Sequence, residues 1–170
     1  MSEQVDKEPE HKILQIIAKI EDGLLVFLLS TMIILAGSQI ILRNIFSTGF
    51  TESDSVLKIL VLWVGMLGAV VATRERRHIS IDILSRYLSD MKRAYVEIVI
   101  DIFVTTVCGL LAFHSTRMML VDYAEKTIAF SGVPTWLLES ILPVAFTIIA
   151  LRYLMYTWQG ITKLLKAKPA

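Results

Sequence analysis

A single cysteine, Cys108, excludes an internal disulfide. It stands inside an apolar stretch, where a lone thiol is packing material. Three histidines are present, His11, His78 and His114. A bundled b-type haem needs facing histidines in pairs at matched depth, and only His114 lies within an apolar stretch. The glycines form no phosphate-binding loop, no nucleophile stands with a base, and no spacing of His, Cys, Asp and Glu suits a metal. Cofactor, metal and catalytic residues are therefore all expected to be none. A cleaved leader is not expected either, because the first apolar block is too long for a leader's core and no small-residue cleavage site comes after it.

Apolar sequence, by contrast, is abundant. The 170 residues are 55% hydrophobic, with a mean hydropathy of +0.63. A soluble domain needs far less. The excess falls into four blocks, each near the ~20 residues that cross a ~30 Å hydrocarbon layer. The spacing predicts spans over 24–42, 56–73, 95–121 and 136–158, in a single membrane domain covering 1–170. Two short amphipathic helices are expected at the interface. Residues 13–20 place Ile13, Ile16, Ile17 and Ile20 on one helical face, although a simple extension of the first span fits them equally. Residues 79–90 place Ile79, Ile83, Leu84, Tyr87 and Leu88 on one face, with Ser80 as N-cap. The expected fold is thus an all-α membrane protein with four transmembrane helices and interfacial helices before span one and between spans two and three.

Charge sets the orientation. The connection between spans two and three holds Arg74, Arg76, Arg77, Arg86, Lys92 and Arg93, whereas the other two connections hold only Arg43 and Lys126. With three cations in each terminal segment, one side collects twelve against two on the other. The positive-inside rule then places both termini in the cytoplasm. The six cations and the adjoining His78 suit anionic lipid headgroups. They border a membrane, which argues against nucleic acid as a partner.

Within the spans, polar side chains mark contacts. Gly65, Gly68, Ala69 and Ala72 make a small-residue face on span two, next to Trp63, of the kind that lets helix backbones approach in lipid. Spans three and four hold Asp101, Arg117, Glu139 and Arg152. In antiparallel helices Asp101 and Arg152 fall at one depth, near the cytoplasmic face, and Arg117 and Glu139 at another, near the outer face. Charges in hydrocarbon cost ~2.5–3.5 kcal/mol each and need partners. The midplane is bare, so these pairs read as register-fixing contacts or partner contacts and not as a proton relay. Pro143 is expected to kink the fourth span from its middle. Neither broken helices nor inverted repeats surround a midplane site, as they would in a self-sufficient carrier. The pattern favours a helper subunit. The alternatives are a quinone- or haem-binding anchor of an oxidoreductase, which lacks its histidines here, and a small multidrug exporter, which lacks an acidic residue in spans one and two.

The second span and the basic segment after it carry a resemblance. Leu62-Trp63-Val64-Gly65-Met66-Leu67-Gly68-Ala69 runs into Arg74-Glu75-Arg76-Arg77-His78-Ile79-Ser80-Ile81-Asp82. This resembles the small (DctQ-like) membrane subunit of the TRAP transporters, the tripartite ATP-independent periplasmic systems. Their pattern is an apolar run with Gly and Ala, a basic pair, His-Ile and then an Asp. Size, four spans and orientation agree across essentially the whole chain. One departure is the opening of span two, where family members often carry a Glu. Here Glu52 and Asp54 precede the span and Lys58 enters it, so that contact is not carried over. The resemblance implies a scaffold in a bacterial inner membrane. Its implied partners are a large membrane subunit holding the substrate and sodium path, a periplasmic substrate-binding protein, and lipids. The implied substrate is an organic acid, with sialic acid favoured over a C4-dicarboxylate.

Overall fold

The structure is a computed structural model and describes residues 7–46, 53–75, 90–130 and 132–166. Four of its helices are long and apolar enough to cross a membrane, over Gln15–Ile45, Ser55–Arg74, Ala94–Glu125 and Thr135–Leu165. The chain divides into two compact units, Met1–Val71 and Ala72–Ala170, each taken by itself below.

In the first unit, α1 runs unbroken over Lys7–Phe46, 40 residues, or about 60 Å. Residues 13–20 belong to this same helix. Nothing between Ile20 and Leu24 stops it: Gly23 costs a helix interior only ~1 kcal/mol relative to alanine, and no proline is present there. Its large apolar side chains, among them Ile20, Phe27, Ile34 and Ile41, are exposed, as hydrocarbon-facing side chains are. The hydroxyls of Thr31 and Ser38 donate back to the carbonyls of Phe27 (2.8 Å) and Leu35 (2.9 Å). Such back-bonds satisfy a hydroxyl where no water is at hand. The second helix, α2, spans Ser53–Glu75 and ends in the second unit.

The second unit is built on an antiparallel pair, α3 (Asp90–Glu125) and α5 (Ile141–Lys166). The buried residues Ile141, Ala145 and Ile149 recur every four residues on one face of α5. Near its far end Gly160 lets α3 come close: a Cβ there would lie 2.9 Å from Ile98 Cγ1. That contact fixes the register of the pair.

The two helices are joined by more structure than the sequence suggested. Lys126, at φ 52°, ends α3 in the left-handed conformation. Lys126 N–H donates to Tyr123 O (3.4 Å) and Thr127 N–H to Asp122 O (3.2 Å). This pair of bonds is a Schellman cap. Strands β1 (Ile128–Phe130) and β2 (Val133–Pro134) then pair antiparallel around Gly132, whose φ of 82° suits the turn. A single helical turn comes next, α4 (Thr135–Glu139), before α5 begins at Ile141.

The interruption between α4 and α5 is confined to Ser140, whose backbone stays helical at φ −55° and ψ −24°. Thr135–Leu165 remains one apolar span, and the interruption falls where Pro143 dictates it. Proline has no N–H to offer the carbonyl four residues back, and its ring collides with that carbonyl. The residue four back is Glu139, where α4 stops. Pro143 thereby falls in the first turn of α5, where a missing N–H removes no helical bond. Its own carbonyl accepts from the Thr147 hydroxyl at 2.6 Å.

Candidate assembly interface

The second helix presents two different faces. Leu67, Val70 and Thr73, spaced by three, are buried, Val70 to 1% exposure. Gly65, Ala69 and Ala72 are exposed, and Gly68 is half-buried. At 100° per residue these small residues fall roughly opposite the buried ones. A Cβ added at Gly65 or at Gly68 would meet nothing within 4 Å. The small-residue face is thus open surface. Trp63 is half-buried.

The charged residues of the spans divide in the same way. Asp101 on α3 and Thr157 on α5 are both buried, at 8% exposure each. Arg152 is half-buried, and its Nη1 donates to Thr73 Oγ1 at 3.2 Å. Tyr156, one turn further along, donates from its hydroxyl to Thr73 O at 3.3 Å. Arg117 and Glu139 do not meet in the expected way. Arg117 is exposed on α3, and no ion pair to it is found among the described residues. Glu139 stands near the Asp122 side chain. Glu139 ends α4, which packs against α3. Asp122 Oδ1 also accepts from the Thr127 hydroxyl at 3.2 Å. Trp136 packs edge-on to Tyr123, ring centroids 5.6 Å apart. His114 is exposed, edge-on to Phe113.

Of the basic segment, Arg74 is half-buried in the last turn of α2, Lys92 is exposed in the first turn of α3, and Arg93 comes next in that turn. Arg76, Arg77, His78, Arg86 and the expected helix at 79–90, save its last residue, lie outside the described residues. Three residues of the second unit went unnoticed in the sequence: Thr73, Tyr156 and Gly160. The latter two share a face with Arg152 at intervals of four, a spacing that could have flagged them.

Among the described residues, four helical stretches are long and apolar enough to cross a membrane, and the small residues of α2 are exposed or half-buried. The sequence matches, over residues 32–163, the family described as "Tripartite ATP-independent periplasmic transporters, DctQ component". The chain belongs to the DctQ family. As a DctQ-family protein it is a small membrane subunit of a TRAP transporter and not an enzyme, and it is a multi-pass protein of the inner membrane. It is 27% identical to the "Sialic acid TRAP transporter permease protein SiaT" of Haemophilus influenzae, over 69% of this chain and 19% of that protein. A second Haemophilus influenzae relative is 28% identical over 52% of this chain and 55% of its own length. The "C4-dicarboxylate TRAP transporter small permease protein DctQ" of Pseudomonas aeruginosa is 20% identical over 84% of this chain and 83% of that protein. The chain thus spans about a fifth of the first of these relatives and about half of the second.

Proposed function

We propose that this DctQ-family chain is the small scaffold subunit of a sodium-coupled importer of an organic acid. A large membrane subunit would carry the substrate and sodium path, and a periplasmic binding protein would deliver the substrate. The observation that carries the reading is the open face of α2. A Cβ added at Gly65 or Gly68 would meet nothing within 4 Å, Ala69 and Ala72 are exposed beside them, and small residues in lipid serve to admit another helix backbone. Trp63, Asp101, Arg117, Glu139 and Arg152 are further candidates for contact with the large subunit. The contacts already made by Glu139 and Arg152 leave Arg117 the most available of the charges.

Sialic acid is the favoured substrate, supported by the name of the SiaT relative, with a C4-dicarboxylate second, supported by the name of the Pseudomonas relative. Reconstitution tests the function. The large subunit and binding protein would be placed in vesicles with and without this chain, and sodium-driven uptake of labelled sialic acid and succinate monitored. Uptake that needs this chain is the expected result. Equal uptake without it would overturn the scaffold reading, and uptake of succinate alone would exchange the substrate.

Both termini are placed in the cytoplasm, with Arg74, Arg76, Arg77, His78, Arg86, Lys92 and Arg93 at the headgroups of the inner leaflet. In a Cys108→Ser background, a membrane-impermeant thiol reagent should label Lys126→Cys in spheroplasts and leave Lys163→Cys unlabelled until the membrane is opened. The reverse pattern would invert the topology.

A further inference from the structure

We propose that the last two turns of α5 lie in the bilayer interface as a lipid anchor: Trp158, Ile161 and Leu165 take the lipid boundary, and Lys163 takes a lipid phosphate. The span that ends at Arg74 is 20 residues long. At ~1.5 Å per residue it just crosses the ~30 Å hydrocarbon layer, so its end marks the hydrocarbon edge. Arg152 and Tyr156 reach Thr73, next to Arg74, at 3.2 and 3.3 Å, which puts the same edge at this level of α5. The helix runs on to Lys166. Residues past Tyr156 therefore leave the hydrocarbon, yet the outward face of α5 does not turn polar there.

Leu151, Leu154, Met155, Trp158, Ile161 and Leu165 are all exposed. At 100° per residue they share one face, roughly opposite the buried Ile141, Ala145 and Ile149. Trp158 and Leu165 are each 72% exposed, and Leu165 lies ~13 Å along the axis from Tyr156. Within the span such a stripe meets lipid tails. Its unbroken continuation meets what adjoins the tails, a headgroup zone about 5–8 Å deep on each side. Helical side chains lean towards the N-terminus of their helix, so those at the end of α5 lean back to the hydrocarbon. The ~20° tilt common to membrane helices shortens the distance further. Tryptophan is the residue type that settles at this boundary. The charged residues of α5 are Arg152, Lys163 and Lys166, and none is acidic. Lys163 is exposed beside the apolar stripe, where its stem can follow the helix while its ammonium reaches the headgroups. Apolar and cationic side chains without an acid complement an anionic lipid surface.

Spin labels read the depth of each position. In the full chain with Cys108→Ser, the variants Ile161→Cys, Lys163→Cys and Leu165→Cys, all at exposed sites, would be labelled singly. Each would be placed in vesicles of phosphatidylcholine with phosphatidylglycerol. Collisions with oxygen, which concentrates in lipid, would be compared with collisions with a water-soluble nickel chelate. The oxygen-to-nickel ratio should be several-fold higher at 161 and 165 than at 163. Equal ratios at all three, favouring the chelate, would put the helix end in water and overturn the proposal. So would labels at 161 and 165 that neither reagent reaches, the mark of a protein partner or a second copy of this chain. Leaving out phosphatidylglycerol should lower the ratio at 165, and Lys163→Gln should abolish that dependence. A dependence that survives Lys163→Gln would overturn the phosphate contact.

Discussion

Gly160 and Gly65 are both glycines inside apolar helices, and a methyl group added to each would meet opposite surroundings. At Gly160 it would press on Ile98 at 2.9 Å; at Gly65 it would touch nothing. One glycine is consumed by the chain's own packing, in the α3–α5 pair. The other lies on a face the chain leaves open. The same contrast holds between buried Ile141, Ala145 and Ile149 on α5 and the exposed apolar surface of α1. A small residue in a membrane helix is therefore no packing contact by itself; its surroundings decide.

The contrast can be broken most directly at Gly160. Gly160→Leu drives bulk into a filled contact and should cost about 2 kcal/mol, the usual toll of overpacking. The measure is the thermal unfolding midpoint of the purified chain; an unchanged midpoint would mean that α3 and α5 do not meet there. Gly65→Leu with Gly68→Leu should do the converse. The isolated chain should melt as the parent does, while the amount recovered with the large subunit should fall about tenfold, or ~1.4 kcal/mol of association. Recovery at the parental level would free this face of any role in assembly.

Two smaller effects sharpen the picture at the other end of the α3–α5 pair. Lys126 holds a left-handed conformation that glycine adopts without strain. Lys126→Gly should raise the unfolding free energy by about 0.5–1 kcal/mol, and a loss of stability would mean that the lysine side chain outweighs its backbone cost. Glu139 lies against Asp122, two acidic groups at close range. Glu139→Gln relieves their repulsion and should leave the midpoint unchanged or slightly raised. A clear fall would point to a contact of the Glu139 carboxylate beyond Asp122.

The four apolar helices were legible because length and hydropathy alone decide them. Their ends were not. Pro143 was visible as a helix breaker, yet whether a proline kinks a helix or begins one depends on where the preceding turn stops. Here only Ser140 interrupts the hydrogen-bonded run, and its backbone stays helical. Arg117 and Glu139 matched in depth alone, and Glu139 has Asp122 for a neighbour. The β1–β2 hairpin escaped notice because strands of three and two residues leave no periodicity to read. Arg152 was paired by depth with Asp101, and the contact to Thr73 was missed, since depth orders residues along the membrane normal and is silent about direction around the helix.

Composition and charge order are one-dimensional properties, and a membrane reads them almost directly. Twenty apolar residues must satisfy their backbone internally, so they become a helix wherever the rest of the chain lies. Hence the all-α fold, the four spans and the family resemblance could be had from residues in order. Which glycine closes on Ile98, which glycines stay open, and which side chains meet the end of α2 are lateral questions. They turn on helix rotation and register, which are fixed only when α3 and α5 pack together.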